Sequence, residues 1–247
     1  MPKKLDWQEL LVDGYEPLRV VQRVFRRLPR DPRCKLCLTP FGGLGGKVVG
    51  LAGRRPSRKN PNLCQACFDH LPAGGIEIDV AVVFADVRGS TSIGEGATPS
   101  EFARLLNDFY ATATSVLIRH DGLIDKLIGD EVMALFLPGI AGPQYRRHAV
   151  NAAIELVRAV RDVPIGVAVN AATAFVGNVG SGAVTDFTAL GDAVNVGARL
   201  QAHAAVGEVV VPAELYALVA GDHLSGRTEQ IAIRGRVEPV DVIVIRP

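Results

Sequence analysis

Residues 76–87 read IEIDVAVVFADV, a segment in which apolar side chains alternate with smaller or polar ones. A period of two residues is typical of a β-strand, so we predict a strand that places Asp86 near its carboxyl end. A helix is predicted next, because Thr98, Pro99 and Glu101 have the spacing of an N-cap, a first-turn proline and a capping box. A strand followed by a helix therefore begins the main domain.

The segments after this helix continue the alternation of strands and helices. We predict a hairpin with strands at residues 123–127 and 132–136 and a second helix at about 144–161. Two further strands are predicted at 165–169 and 174–179. Strand, helix, two strands, helix, strand is the βαββαβ order of a ferredoxin-like sheet, so the predicted fold class is α+β. A helix from about Asp192, a strand at 209–211, a short helix and two strands form a predicted C-terminal extension.

Charge divides the chain of 247 residues into two regions. Residues 1–73 contain 14 Lys and Arg against 6 Asp and Glu, whereas residues 74–247 contain 13 against 20. Such a split indicates units with different surfaces. We predict an amphipathic basic helix within residues 1–31 (over 5–29), a small cysteine module in residues 32–73, and the ferredoxin-like domain in residues 74–247.

The composition is that of a globular protein, with 48% hydrophobic and 21% charged residues. Lys3 and Lys4 are not followed by the apolar core of a secretory signal. The longest uncharged segment, residues 163–185, contains Pro164 and Asn178 and alternates as strands do, so it does not predict a membrane span. We expect a cytoplasmic protein without a transmembrane segment.

All four cysteines lie in the predicted module, as Cys34, Cys37, Cys64 and Cys67. Two Cys-x2-Cys pairs are a metal-binding pattern, and in a cytoplasmic protein they favour a metal over disulfides. Four thiolates suit tetrahedral Zn²⁺. The loop between the two pairs is long, at 26 residues, so an iron–sulfur cluster is kept as an alternative. The module has few residues for a core, so we expect a metal crosslink to order it.

Three further segments combine acidic, amide and basic residues at fixed spacing. They are FADVRGST at residues 84–91, DKLIGDEVMA at 125–134, and DFTALGDAVNVGARL at 186–200. Together and in this order they resemble the catalytic motifs of class III adenylate and guanylate cyclases, over about residues 77–245. The resemblance implies the cyclase fold and a reaction on a nucleoside triphosphate.

Asp86 ends the first predicted strand, and Asp130 lies in the turn of the predicted hairpin. If these strands are neighbours, both carboxylates meet at one edge of the sheet, where their repulsion indicates a bound cation. Hard ions such as Mg²⁺ or Mn²⁺ prefer oxygen ligands. The resemblance implies two such ions per active site, held by both aspartates and by the backbone carbonyl of Val87.

The resemblance assigns purine recognition to Lys126 and Thr188. A lysine can donate to adenine N1, and a threonine hydroxyl can accept from the exocyclic amine. Guanylate cyclases usually have an acid where Lys126 stands, and threonine at the second position is usual in a bacterial subclass of adenylate cyclases. Asn195 and Arg199 share a helix face and match the ribose-orienting asparagine and the transition-state arginine of the family.

In the family, the metal-binding aspartates and the Asn/Arg pair of one site come from different subunits. The resemblance therefore implies a head-to-tail homodimer that binds ATP and makes 3′,5′-cyclic AMP and pyrophosphate, under control of the cysteine module. A guanylate or mixed cyclase remains an alternative. Another is a catalytically silent dimeric sensor or nucleic-acid-binding module, which the basic residues 1–73 permit. We disfavour nucleic acid as a partner, because that role leaves the complete set of catalytic-type residues unexplained.

Overall fold

The computed structural model describes residues 7–8, 11, 33–51, 54–181, 184–219, 226–236 and 238–247. Most of the helix predicted over residues 5–29 lies outside the described residues, so that prediction is not tested. Among the described residues, no helix combines the length and the apolar character needed to cross a membrane.

The described helices and strands include the predicted elements in the predicted order, together with four helices and the strand of residues 184–190 that the sequence pattern did not predict. The helices are α1 (Gly43–Leu51), α2 (Gln65–Asp69), α3 (Ser90–Glu95), α4 (Pro99–Arg119), α5 (Pro138–Ala141), α6 (Tyr145–Ala159), α7 (Asp192–His203) and α8 (Ala213–Ala217). The strands are β1 (Gly74–Val87), β2 (Leu123–Ile128), β3 (Glu131–Phe136), β4 (Ile165–Ser181), β5 (Val184–Leu190), β6 (Val209–Pro212), β7 (Arg227–Ile231) and β8 (Val240–Ile245).

The strands form one sheet in the order β2-β3-β1-β4-β6-β8-β7, and β5 pairs with β4 outside this path. Strands β1 to β4 with α4 and α6 have the βαββαβ order, which confirms the ferredoxin-like α+β prediction. The capping box is also confirmed, since the Glu101 carboxylate accepts from the Thr98 N–H at 2.9 Å and the Thr98 hydroxyl accepts from the Glu101 N–H at 3.3 Å.

One prediction about the strands is wrong. Residues 165–169 and 174–179 are not separate strands, because β4 runs through the segment between them without a break. In this segment Asn170 pairs with Val82 and Thr173 pairs with Asp79 in the antiparallel ladder with β1. The long β1 supplies backbone partners throughout, so the small and polar residues there remain extended.

The two faces of β1 pack against different layers, because successive side chains point to opposite sides. Ala81, Val83 and Ala85 belong to a core cluster with the buried residues of α4 and α6. Val80 and Val82 belong to a second cluster on the other face, with residues of β5 and of the cysteine-containing segment. The site described below lies on this second face.

The cysteine-containing segment, residues 33–73, packs against the second face of the sheet. Its Cys34, Leu36 and Leu63 are buried in the second cluster. The Asn62 amide donates to the carbonyls of Ile118 and Gly122 at 3.2 and 3.0 Å, at the end of α4. The segment therefore buries apolar surface by contact with the sheet, which adds to the small core that its own residues can form.

Candidate active site and cysteine cluster

The end of β1 and the turn between β2 and β3 lie side by side, as the sequence predicts. Asp86 is opposite Glu131 in the β1–β3 ladder, and the Val87 N–H donates to the Asp130 carbonyl at 3.2 Å. Gly129 in the turn has a φ of 61°, a left-handed conformation that glycine adopts without steric cost. The backbone thus places Asp86 and Asp130 at one edge of the sheet.

The electrostatics of this edge fit a bound cation. Burial and the neighbouring Asp130 raise the pKa of Asp86 to about 6. Asp86 Oδ1 is buried and has no hydrogen-bond partner among the described residues. Arg88 is the positive group beside it, with its Nη1 3.9 Å from Asp86 Oδ2. A buried oxygen without a partner, next to a second carboxylate, matches the donor set that Mg²⁺ or Mn²⁺ prefers.

The predicted purine-binding pair is brought together by strand β5. This strand forms a hairpin with the distal half of β4 and contacts β2 on the second face of the sheet. Lys126 Nζ donates to Thr188 Oγ1 at 3.0 Å and to Asp186 Oδ2 at 2.5 Å. Thr188 Oγ1 in turn donates to Asp125 Oδ2 at 2.9 Å. Four polar side chains from β2 and β5 therefore form one connected network.

Two members of this network, Asp125 and Asp186, were not predicted as site residues. Both lie within the quoted motifs, but spacing alone does not distinguish them from solvated strand residues. The buried position of Asp125, with 3% of its surface exposed, is visible only in the fold. Burial raises the pKa of Asp186, but hydrogen bonds from Lys126 and Lys59 outweigh this effect and lower it.

Asn195 and Arg199 lie on the exposed face of α7, one turn apart. The Arg199 guanidinium donates to the backbone carbonyl of Arg234. No hydrogen bond or ion pair among the described residues joins either side chain to the carboxylates at the edge or to the Lys126 network. Within the described residues, these two side chains therefore lie outside the hydrogen-bonded groups formed by the other predicted site residues.

The four cysteines converge, as predicted, with their sulfur atoms all within 4.8 Å of one another. All four are free thiols, and the Cys37 and Cys64 sulfurs are 3.7 Å apart. The Cys64 N–H donates to Cys34 Sγ at 3.2 Å, and a hydrogen bond with Cys34 lowers the pKa of Cys64 to about 7. Sulfurs at this spacing fit a single tetrahedral ion, for which zinc–sulfur bonds of about 2.3 Å set the sulfurs roughly 3.8 Å apart.

Lys59 connects the cysteine segment to the Lys126 network. It lies between the two cysteine pairs and forms an ion pair with Asp186. Since Asp186 also accepts from Lys126, one carboxylate lies between a lysine of the segment and a lysine of the predicted purine site. The neighbouring Asn60 is buried, so Lys59 extends from a packed part of the segment.

The adenylate and guanylate cyclase catalytic domain family matches residues 77–245 of this chain. Rv1318c, an uncharacterized protein of Mycobacterium tuberculosis (strain ATCC 25618 / H37Rv), is 32% identical over 203 residues, covering 74% of this chain and 38% of that protein. Rv1319c, an uncharacterized protein from the same organism, is 31% identical over 224 residues, covering 83% of this chain and 37% of that protein. The chain thus spans less than two fifths of the length of these curated relatives.

Solved cyclases have the same fold. The adenylyl cyclase CyaB from P. aeruginosa has a TM-score of 0.63 at 27% identity, covering 69% of this chain and 95% of that chain. The guanylyl cyclase Cya2 has a TM-score of 0.66 at 23% identity, covering 69% and 93%. The chain belongs to the adenylate and guanylate cyclase catalytic domain family. One of these structures is an adenylyl cyclase and the other a guanylyl cyclase, so the shared fold does not distinguish between the two activities.

Proposed function

We propose that this chain is an adenylate cyclase that converts ATP into 3′,5′-cyclic AMP and pyrophosphate. The observation that carries the proposal is the contact of 3.0 Å between Lys126 Nζ and Thr188 Oγ1. A lysine donates to the N1 acceptor of adenine, and a threonine oxygen accepts from the exocyclic amine. Guanine presents a donor at N1 and an acceptor at O6, so the same pair disfavours GTP.

The reaction needs a nucleophile and charge neutralisation at the phosphates. Asp86, Asp130 and the Val87 carbonyl are proposed to hold two Mg²⁺ or Mn²⁺ ions, which would lower the pKa of the ribose 3′-hydroxyl and neutralise the triphosphate. The 3′-oxygen then bonds to the α-phosphorus, its proton passes to solvent, and the bond to the β-phosphate oxygen breaks to release pyrophosphate. Asn195 orients the ribose, and Arg199 stabilises the charge on the α-phosphate oxygens.

A head-to-tail homodimer completes the proposed site. Asn195 and Arg199 are exposed on α7, and no hydrogen bond or ion pair within the described residues joins them to the carboxylates of their own chain. A second copy of the chain can therefore supply them to the metal-binding edge of the first. This arrangement gives two equivalent sites per dimer and predicts a nearly inactive monomer.

The proposed organisation includes a zinc module in residues 32–73, between an N-terminal helix in 1–31 and the catalytic domain in 74–247. The sulfur spacing of at most 4.8 Å supports zinc over an iron–sulfur cluster, because a four-iron cluster inserts iron and sulfide between the thiolates and separates them further. We propose that this module regulates the cyclase through the Lys59–Asp186 ion pair, which connects it to the purine pair.

The direct test is product formation from ATP and from GTP, each with Mn²⁺ or Mg²⁺. We expect cyclic AMP from ATP, little cyclic GMP, and no product from the Asp86→Ala variant. Asp108→Asn, an exposed change of charge on α4, serves as the control and should leave the rate unchanged. Cyclic GMP as the main product would refute the purine assignment, and no cyclic product from a confirmed dimer would refute the proposed activity.

A further inference from the structure

Strand β2 contains an irregularity where it passes the proposed purine pair. Ile124 pairs with Ala134 of β3, and the next paired residue is Lys126, opposite Met133, so Asp125 is an extra residue in the strand. A bulge of this kind re-aims the side chains around it. Here it allows two consecutive residues, Asp125 and Lys126, to reach the same atom, which regular alternation would prevent.

That shared atom is the hydroxyl oxygen of Thr188. It accepts from Lys126 Nζ at 3.0 Å and donates to Asp125 Oδ2 at 2.9 Å. Thr188 and Asp125 are 4% and 3% exposed, so water does not compete freely for these contacts. Asp125 Oδ1 has no hydrogen-bond partner among the described residues and lies 3.6 Å from Lys126 Nζ.

A hydroxyl has one hydrogen and two lone pairs, whereas an ionised carboxylate only accepts. The bond to Asp125 therefore uses the only hydrogen of Thr188, and the bond from Lys126 uses one lone pair. What remains for a ligand is a single acceptor position. An acceptor suits the 6-amino group of adenine and repels the 6-oxo group of guanine or hypoxanthine.

We propose that Asp125 is a specificity-determining positioning residue: it fixes the Thr188 hydroxyl as an acceptor and so selects 6-aminopurine over 6-oxopurine nucleotides. This inference rests on the proposed purine site and extends it, because without Asp125 the Thr188 hydroxyl has only the more distant Ala189 carbonyl, at 3.4 Å, as an acceptor among the described residues. With the hydrogen of Thr188 released, the same oxygen could donate to a 6-oxo group. Asp125 acts through Thr188 and does not itself contact the purine.

The test compares Asp125→Asn with the wild-type dimer. The amide is isosteric with the carboxylate but can donate to Thr188, which frees the hydroxyl hydrogen. Burial raises the pKa of Asp125, so loss of this buried charge removes a desolvation cost and the variant should fold. Thr188→Val, which removes the hydroxyl, serves as a second variant, and Asp108→Asn controls for the change of charge.

The readout is a ratio that a general loss of structure does not change. The dissociation constants of 3′-deoxy-ATP and 3′-deoxyinosine triphosphate, neither of which can cyclise, are measured with Mn²⁺ together with kcat/KM for ATP and ITP. We expect the wild-type preference for the adenine nucleotide to fall about tenfold in Asp125→Asn, which corresponds to about 1.4 kcal/mol. It should fall similarly in Thr188→Val and remain unchanged in Asp108→Asn.

An equal loss of affinity for both nucleotides in Asp125→Asn, with the ratio preserved, would overturn the inference and leave only a structural role. Equal binding of both nucleotides by the wild type would overturn it too. Since binding is read without turnover, these outcomes are distinct from failure of the proposed function. That failure would be the absence of cyclic AMP from wild-type protein that still discriminates between the two nucleotides.

Discussion

Lys59 of the cysteine segment forms an ion pair with Asp186 of β5, and Asp186 also accepts a hydrogen bond from Lys126. Only Asn60, Pro61, Asn62 and Leu63 separate Lys59 from Cys64 of the sulfur cluster. The state of the cluster and the position of Lys126 are therefore connected by a short path of chain and contacts. This connection is the physical basis for the proposed regulatory role of the cysteines.

Replacement of Lys59 by Ala should weaken ATP binding with little effect on kcat. Without Lys59, Lys126 alone neutralises Asp186, so Lys126 is held more firmly and donates less to the purine. The Lys59 and Asp186 side chains are 37% and 44% exposed, and exposed pairs contribute up to about 1 kcal/mol, so we expect KM to rise roughly two- to fivefold. Steady-state kinetics measure this change, and Lys47→Ala in α1 is the control. An unchanged KM would exclude the proposed connection.

Removal of the metal should loosen the cysteine segment, and Trp7 reports this because its indole N–H donates to the carbonyl of Ala73, the last residue of the segment, at 3.3 Å. Trp7 is the only tryptophan in the chain, is buried, and stacks on Phe187 with ring centroids 5.8 Å apart. We expect a strong chelator or Cys64→Ser to shift its fluorescence to longer wavelength and to lower the melting temperature, because structural zinc contributes folding energy. Zinc added back to the chelated wild type should reverse both changes.

Elemental analysis of the purified chain identifies the metal itself. We expect zinc and a colourless protein. Iron with acid-labile sulfide and visible absorption would contradict zinc and establish the iron–sulfur alternative. Neither metal, with an unchanged Trp7 spectrum in Cys64→Ser, would show that the thiols have no structural ion.

Glu208 should make the stability of the C-terminal extension sensitive to acid. It is 1% exposed and accepts from Arg227 Nη1 at 2.7 Å and Arg246 Nε at 2.9 Å. The Arg227 hydrogen bond is the main cause that lowers its pKa from 4.5 to about 2. A carboxyl group whose pKa is lower in the folded state than in the unfolded state stabilises the fold at pH values above the unfolded pKa. This stabilisation is lost as the pH falls through the folded pKa, so it should disappear between pH 4.5 and about 2.

The matching variant is Glu208→Gln. At neutral pH we expect a loss of about 1–2 kcal/mol in the free energy of unfolding, because two arginines lose a charged acceptor. Below pH 4.5 the difference from wild type should shrink. Glu214→Gln, at an exposed position of α8, should have little effect at any pH. A difference that stays constant with pH would show that charge is not the cause.

Sequence periodicity and capping signals predict most of the fold, because they depend on local chemistry. The capping box of α4 and the β2–β3 hairpin are examples. The continuity of β4 could not be predicted in this way, since pairing with β1, not the residues of β4 themselves, keeps Asn170 to Thr173 extended. Helix α1 was also missed, because its four glycines disfavour a helix by intrinsic propensity.

The site residues also divide into those that a local sequence motif predicts and those that depend on tertiary contacts. The motifs predict Lys126 and Thr188 by resemblance, and the structure brings their polar atoms within 3.0 Å. Asp125 and Lys59 could not be found from the sequence, because the role of Asp125 depends on a bulge and that of Lys59 on the packing of a distant segment. Strand register sets the role of Asp125 and packing of a distant segment sets that of Lys59. Neither effect produces a recognisable pattern in the local sequence.

A mixing experiment tests the central claim most directly. Asp86→Ala lacks a proposed metal ligand and Arg199→Ala lacks the proposed transition-state arginine, so each homodimer should be inactive with ATP. When the two variants are mixed and allowed to exchange subunits, half of the dimers should be mixed, and each mixed dimer contains one intact site. The mixture then contains about a quarter of the intact sites of the wild type, so we predict that cyclic AMP formation returns to about a quarter of the wild-type rate. If both variants are inactive alone and their confirmed mixed dimers remain inactive, the shared two-subunit site is wrong.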